Sequence, residues 1–159
     1  SNQFKEHSIK RSYLAIVWGV INKKGILENN ISRHPYNRKK MHISKNGKVG
    51  ITHWELKQTF SNIASLIECN LKTGRTHQIR VQFANNGNHL IGDKVYNNPK
   101  AKKRYLNKNN QNIFNLLQSF PRQALHAKHL SFLHPITNKK LSFESELPED
   151  ISELIDNFT

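Results

Sequence analysis

The run Ser12 to Val20 (SYLAIVWGV) is rich in β-branched and aromatic residues and breaks at Gly19, just before a turn-prone Asn22-Lys-Lys-Gly25, which predicts a buried strand. Gly25 to Ile31 predicts a short second strand. Lys48 to Phe60 alternates at Val49 and Ile51 and again at Trp54 and Leu56. It leads through Ser61-Asn62 into the β-rich Ile63 to Leu71, so the two predict a hairpin. From Thr73 the period changes. Ile79 and Phe83 are four apart, Thr76 is placed to cap and Gly87 to close, which predicts a helix over His77 to Asn86. Because Ile79, Val81 and Phe83 also alternate, a strand is the rival reading. His89 to Tyr96 reads as a short extended or turn segment, Asn97 to Gln111 as a polar loop with little capacity for a core, and Ile113 to Phe120 as a short helix. Ala127 to Leu133 and Leu141 to Ser145 flank the turn Pro135-Ile-Thr-Asn138 and predict a second hairpin. Pro148 then opens a terminal helix, Glu149 to Phe158, with Glu149 and Asp150 at the positive end of its dipole. With no repeat or heptad, the pattern predicts one α+β unit whose mixed, mainly antiparallel sheet is flanked by helices.

Charge changes the picture more than length does. The 159 residues suit one domain or a large piece of one, and they carry a formal charge of +14. Residues 1 to 143 hold all 25 basic groups and five acids, whereas residues 144 to 159 hold six acids and no Lys or Arg. Three stretches have no carboxylate: Asn29 to Trp54, Cys69 to Gly92 and Lys94 to Phe143. In the first, Arg33, Arg38, Lys39, Lys40, Lys45 and Lys48 stand with His34 and His42 among turn residues, which reads as an exposed basic loop. Acid-free basic surface favours a polyanion, nucleic acid first; the plainer alternative is a solvated, Lys-rich face. One cysteine, Cys69, precludes an internal disulfide and fits a reducing, cytoplasmic setting, and no apolar run is long enough to predict a membrane-spanning helix.

Several chemistries lose their usual support. His126 and His129 are three apart with no third ligand in view and there is no HExxH, so no metal site is expected. There is no GxGxxG, no Walker loop and no GxSxG. The three aspartates are Asp93, Asp150 and Asp156; two lie in the acidic terminal segment, and Asp93, in a turn, reads as structural rather than nucleophilic.

The densest segment is Leu71-Lys-Thr-Gly-Arg-Thr-His-Gln-Ile-Arg-Val81, where Gly74 permits a close turn and Arg75, His77 and Arg80 supply charge. It resembles the TGRTHQIRVH signature of the RluA/RluD family of pseudouridine synthases. Arg11-Ser-Tyr-Leu-Ala-Ile-Val-Trp-Gly19 resembles that family's tyrosine-bearing strand. Ile31-Ser-Arg-His-Pro35, Gly92-Asp-Lys-Val-Tyr96, Phe120-Pro-Arg-Gln-Ala-Leu-His-Ala127 and His134-Pro135 resemble its RluD branch. The resemblance runs over essentially the whole chain. It implies part of the pseudouridine synthase catalytic fold and isomerisation of uridine to pseudouridine in 23S ribosomal RNA, without metal or organic cofactor. It implies that Tyr13 stacks on the extracted uracil and that Arg80 pairs with the catalytic aspartate. Arg75 and His77 orient RNA or brace the loop, and Arg33, His34, Arg38, Lys39, Lys40 and Arg122 join the RNA-binding set. Gln82 stands where the family's motif usually ends in His.

The family's nucleophilic aspartate sits in an HRLDxxTSG-type motif upstream of the tyrosine strand, and this sequence contains no such motif. The resemblance therefore implies that residues 1–159 are part of a catalytic domain, inactive alone, with the nucleophile motif and any S4-like domain outside the chain. It also implies an unpaired sheet edge through which copies associate. The rival is a non-catalytic RNA-binding module on the same fold.

Overall fold

The computed structural model describes residues 9–158. Seven strands, β1 (Lys10–Trp18), β2 (Lys24–Arg33), β3 (Met41–Ile43), β4 (Lys48–Phe60), β5 (Ala64–Leu71), β6 (Leu125–Leu133) and β7 (Lys140–Glu144), form one sheet in the order β3-β2-β4-β5-β1-β6-β7. Every strand pairing in it is antiparallel. Four helices accompany it: α1 (Gln78–Asn85), α2 (Pro99–Lys103), α3 (Gln111–Gln118) and α4 (Glu149–Asp156). The α+β class expected from the pattern is the class observed.

The apolar run in β1 is explained by burial on both faces, since alternate strand residues point to opposite sides. Ile16 and Trp18 join a core with Phe60, Leu66, Phe114 and Leu117 from α3, and Ile151 and Leu154 from α4. Ala15 and Val17 face the other way, packing with Trp54, Ile67 and Cys69 against Ile79 and Phe83 of α1. Each such large side chain withdrawn from water contributes about 1.5–3 kcal/mol. The acidic α4 thus lies on the face opposite α1.

Local chemistry sets the turns. Ser61 and Asn62 both take positive φ, 47° and 59°, and Ile63 N–H donates to Phe60 O at 2.9 Å, which makes the tight turn within the three-residue connection from β4 to β5. Helix α1 closes as the sequence predicts: Gly87 has φ 87°, its N–H donates to Ala84 O at 3.1 Å and Asn88 N–H donates to Phe83 O at 2.8 Å.

Three expectations are corrected. Thr76 is not the cap of α1; His77 occupies that position with φ 54° and makes no capping bond, and the turn is instead closed by Gln78. The basic segment Asn29 to Trp54 is largely strand, because Ile31 and Met41 bury on Val81 and Tyr96, leaving the tip between β2 and β3 and the short turn between β3 and β4 irregular. Asn97 to Gln111 is also more ordered than a polar loop. It holds α2, Ala101 is buried, and Tyr105 stacks on Trp18 at 6.3 Å.

Candidate active site

Register carries the expected site residues to one end of the sheet. Arg11 lies opposite Leu71 on β5 and Leu130 on β6, Leu71 lies opposite Thr52 on β4, and Lys48 opposite Ile31 on β2. The β2–β3 tip, the β6–β7 tip and the turn from β5 into α1 therefore all leave the sheet at the end where β1 begins. At that end, on the α1 face, a cavity of about 360 Å³ is lined by Arg11, Tyr13, Gly74, Arg75, His77 and Arg80 among others, and its lining contains no carboxylate. Tyr13 reaches it by the same alternation that puts Ala15 and Val17 under α1.

Arg80 is held rigidly. Its Nε and Nη2 donate to Asp93 Oδ2 and Oδ1 at 2.8 and 3.0 Å, and its guanidinium lies 5.1 Å from the Tyr96 ring centre. Asp93 Oδ1 also accepts from the Val95 and Tyr96 amides at 2.9 and 3.1 Å. Burial pushes the Asp93 carboxyl up, but the Arg80 guanidinium and the two amides outweigh it and hold it below the usual carboxylate range. Its side chain has no solvent exposure and its oxygens are committed, so the structural reading of Asp93 fits its setting. Arg80's Nη1 is the guanidinium nitrogen that Asp93 leaves over.

Tyr96 is the hub of this end. Its hydroxyl accepts from the buried Met41 N–H at 2.8 Å and lies 2.8 Å from His77 Nδ1, while Lys40 Nζ sits 5.6 Å from its ring centre. It thereby ties the basic hairpin to the Arg75–Arg80 turn. Burial, then the neighbouring Arg80 charge, pushes the His77 imidazole below its ordinary pKa, so it is neutral near pH 7.

Helix α1 is fixed to the sheet by two buried glutamines. Gln78 Oε1 accepts from Thr73 Oγ1 (2.8 Å) and Arg75 N–H (3.0 Å), while its Nε2 donates to Ile51 O and Thr52 Oγ1. Gln82, fully buried, accepts from Thr52 Oγ1 at 2.6 Å and donates to Gly50 O at 2.9 Å. The residue that departs from the family pattern is thus an internal brace. Paired polar side chains at four-residue spacing on an otherwise apolar helix face were the signal for it.

The residues expected to bind RNA are divided. Arg33, His34, Arg38, Lys39 and Lys40 share the β2–β3 tip, where Arg33 Nη1 donates to Arg38 O at 2.8 Å and His34 Nδ1 accepts from the Tyr36 and Asn37 amides. Arg75 bridges to that hairpin's sheet through Val49 O, 2.9 Å from its Nε. Arg122 does not join them. Its Nε and Nη2 hold Asp150 at 2.8 and 2.9 Å, tying the segment before β6 to α4, and this partner lowers the Asp150 carboxyl.

Comparison with known proteins agrees with this geometry. The family model "RNA pseudouridylate synthase" matches residues 1–85. The chain is 44% identical over 156 residues to ribosomal large subunit pseudouridine synthase D of Zymomonas mobilis, covering 96% of the chain and 46% of that protein. It is 37% identical over 155 residues to its namesake in Nitrosomonas europaea, covering 98% of the chain and 42% of the relative. The chain thus spans less than half the length of these relatives. In fold it matches human RNA pseudouridylate synthase domain containing 1 with a TM-score of 0.71 at 22% identity, over 92% of this chain and 58% of that one. Domain containing 4 matches with a TM-score of 0.70 at 19% identity, over 99% of this chain and 65% of the other. By its signature segment, its sheet and these matches, the chain belongs to the RNA pseudouridylate synthase family.

Proposed function

We propose that residues 1–159 form part of the catalytic domain of a cytoplasmic enzyme that isomerises uridine to pseudouridine in large-subunit ribosomal RNA. The observation that carries this reading is that Tyr13 and Arg80 line one cavity beside a basic hairpin while no carboxylate lines it. A phenol ring and a guanidinium there suit a uracil extracted from its stack and an aspartate delivered by another segment of a longer protein. Tyr13 supplies the aromatic face and hydroxyl. Arg80, already oriented by Asp93, offers Nη1 to the incoming nucleophile and keeps it ionised. Arg33, His34, Arg38, Lys39, Lys40, Arg75 and His77 hold the RNA at the same end. Arg122 serves the fold through Asp150 in this reading. No cofactor or metal enters the reaction, and copies of the isolated chain associate through the β7 edge.

The test is uridine isomerisation in a 23S-derived stem-loop, assayed with this chain and with the chain extended to the relatives' full length. The extended protein is expected to convert uridine and the 159-residue chain to do nothing. In the extended protein, Arg80→Ala and Tyr13→Phe should each lower turnover by about two orders of magnitude while keeping most RNA affinity. Wild-type rates in both variants would sink the assignment of roles. A carboxylate-free cavity also suits a non-catalytic RNA-binding module, and an extended protein that binds the stem-loop without converting it would establish that reading instead.

A further inference from the structure

On the far side of Asp93 from the cavity, a smaller recess of about 100 Å³ lies between the His89–Tyr96 segment, α2 and the end of α3. His89 lines it and is only 3% exposed as a residue; among the described residues its ring makes no hydrogen bond, and its ring nitrogens are not sealed in the core but open to the recess. Lys102, half-buried on α2, also lines the recess and has no carboxylate within ion-pair distance among the described residues. Lys94 and Asn97 stand at the mouth. The one carboxylate on the wall, Asp93, has both oxygens occupied by Arg80 and by backbone amides. The recess therefore presents uncompensated positive charge and free N–H donors in a volume that suits one tetrahedral oxyanion. A cation is disfavoured by the two lysines, and the polar groups gain nothing from an apolar ligand.

We propose that this recess binds a phosphate group, with His89 and Lys102 as the donors that hold it. The site is separate from the Tyr13–Arg80 cavity and does not rest on the reading of that cavity. It lies at the opposite end of β1, near Trp18. The groups facing His89 are Lys102, which disfavours its protonation, and Asp93, which favours it; burial is the largest influence, and the net is an imidazole held below its usual 6.5. A bound dianion adds a favourable charge beside the imidazole. Binding is then coupled to proton uptake and strengthens as pH falls.

The experiment titrates the 159-residue chain with sodium sulfate at constant ionic strength, reading the His89 imidazole in ¹H–¹⁵N correlation spectra. Sulfate is used because it stays a dianion across the range. Saturable shifts centred on His89 and Lys102 are expected, tightening from pH 7.5 to about 5.5. Lys102→Gln, at a half-exposed position, should weaken binding about tenfold with the rest of the spectrum unchanged, the loss of one charge-assisted contact. His89→Gln is the second variant, expected to abolish the pH dependence. Shifts that never saturate, spread over many lysines and survive Lys102→Gln would overturn the site. A short oligouridylate, with and without a 5′-phosphate, then identifies the source of the anion. Competition with sulfate by both assigns an internal RNA phosphate, by the phosphorylated form alone a terminal one, and by neither the free inorganic ion. Each of these outcomes presupposes, and so supports, the anion site.

Discussion

Tyr96 does more than any other single side chain to connect the basic hairpin with Arg80. Tyr96→Phe keeps the ring beneath Arg80 and Lys40 but orphans the Met41 N–H, so it should cost about 1–3 kcal/mol and raise the amide exchange rate at Met41. Urea denaturation and hydrogen exchange check this together. The Arg80–Asp93 pair makes a sharper test. Asp93→Ala leaves a buried guanidinium uncompensated and should destabilise by about 3–5 kcal/mol. Because the folded-state pKa of Asp93 lies below its ordinary 3.8, its contribution is complete above that value and disappears as pH falls through the depressed pKa. His77 acts in the same sense at higher pH: its folded pKa is below 6.5, so its contribution is present above 6.5 and lost on acidification. Stability measured against pH should therefore fall in two acid steps, with the lower one weakened in Asp93→Asn. At this scale the sequence pointed to Arg80, Arg75 and His77 through one dense motif. It gave no sign that Asp93, thirteen residues on, would be Arg80's partner, since that pairing depends on a turn closing in space.

Among the elements, the turns are the most constrained. Gly92 has φ 76°, and a Cβ there would lie 1.9 Å from Arg122 O, against backbone that has little freedom to move. Gly92→Ala combines left-handed strain with that overlap and should destabilise by about 2 kcal/mol or more, read as a lowered denaturation midpoint. Among the described residues, the outer strand β7 has no strand beyond it and presents an exposed Phe143, 54% accessible. The proposed edge association predicts a concentration-dependent sedimentation coefficient that Phe143→Lys lowers; a monodisperse monomer with a high, cooperative melting transition would contradict it. Strands and both hairpins were legible because their alternation and turn residues are local. The β3 strand and α2 were not. Met41 is buried against Val81 and Tyr96, which are distant in sequence, and Ala101 is buried within a stretch whose composition is polar.

For the molecule as a whole, charge is segregated by face as well as along the chain. The basic β2–β3 tip stands at the cavity end, whereas acidic α4 packs on the opposite face. RNA binding is therefore expected to weaken steeply with salt. Neutralising Arg38 and Lys39 together should reduce the slope of log affinity against log salt by about 1.4–1.8 while leaving the fold unchanged. A slope unaffected by the double substitution would remove the tip from the interface.

The sequence alone determined the class of fold, the strands with strict alternation, the closing turn of α1 and the family, because each is written in residues close together along the chain. The tertiary structure decided which residues meet. It buried Gln78 and Gln82 as braces, gave Arg122 to Asp150 and Arg80 to Asp93, and made Tyr96 the link between the hairpin and the α1 turn. Those outcomes depend on antiparallel register and two-sided burial of β1, which bring together groups from segments that composition and periodicity treat as independent.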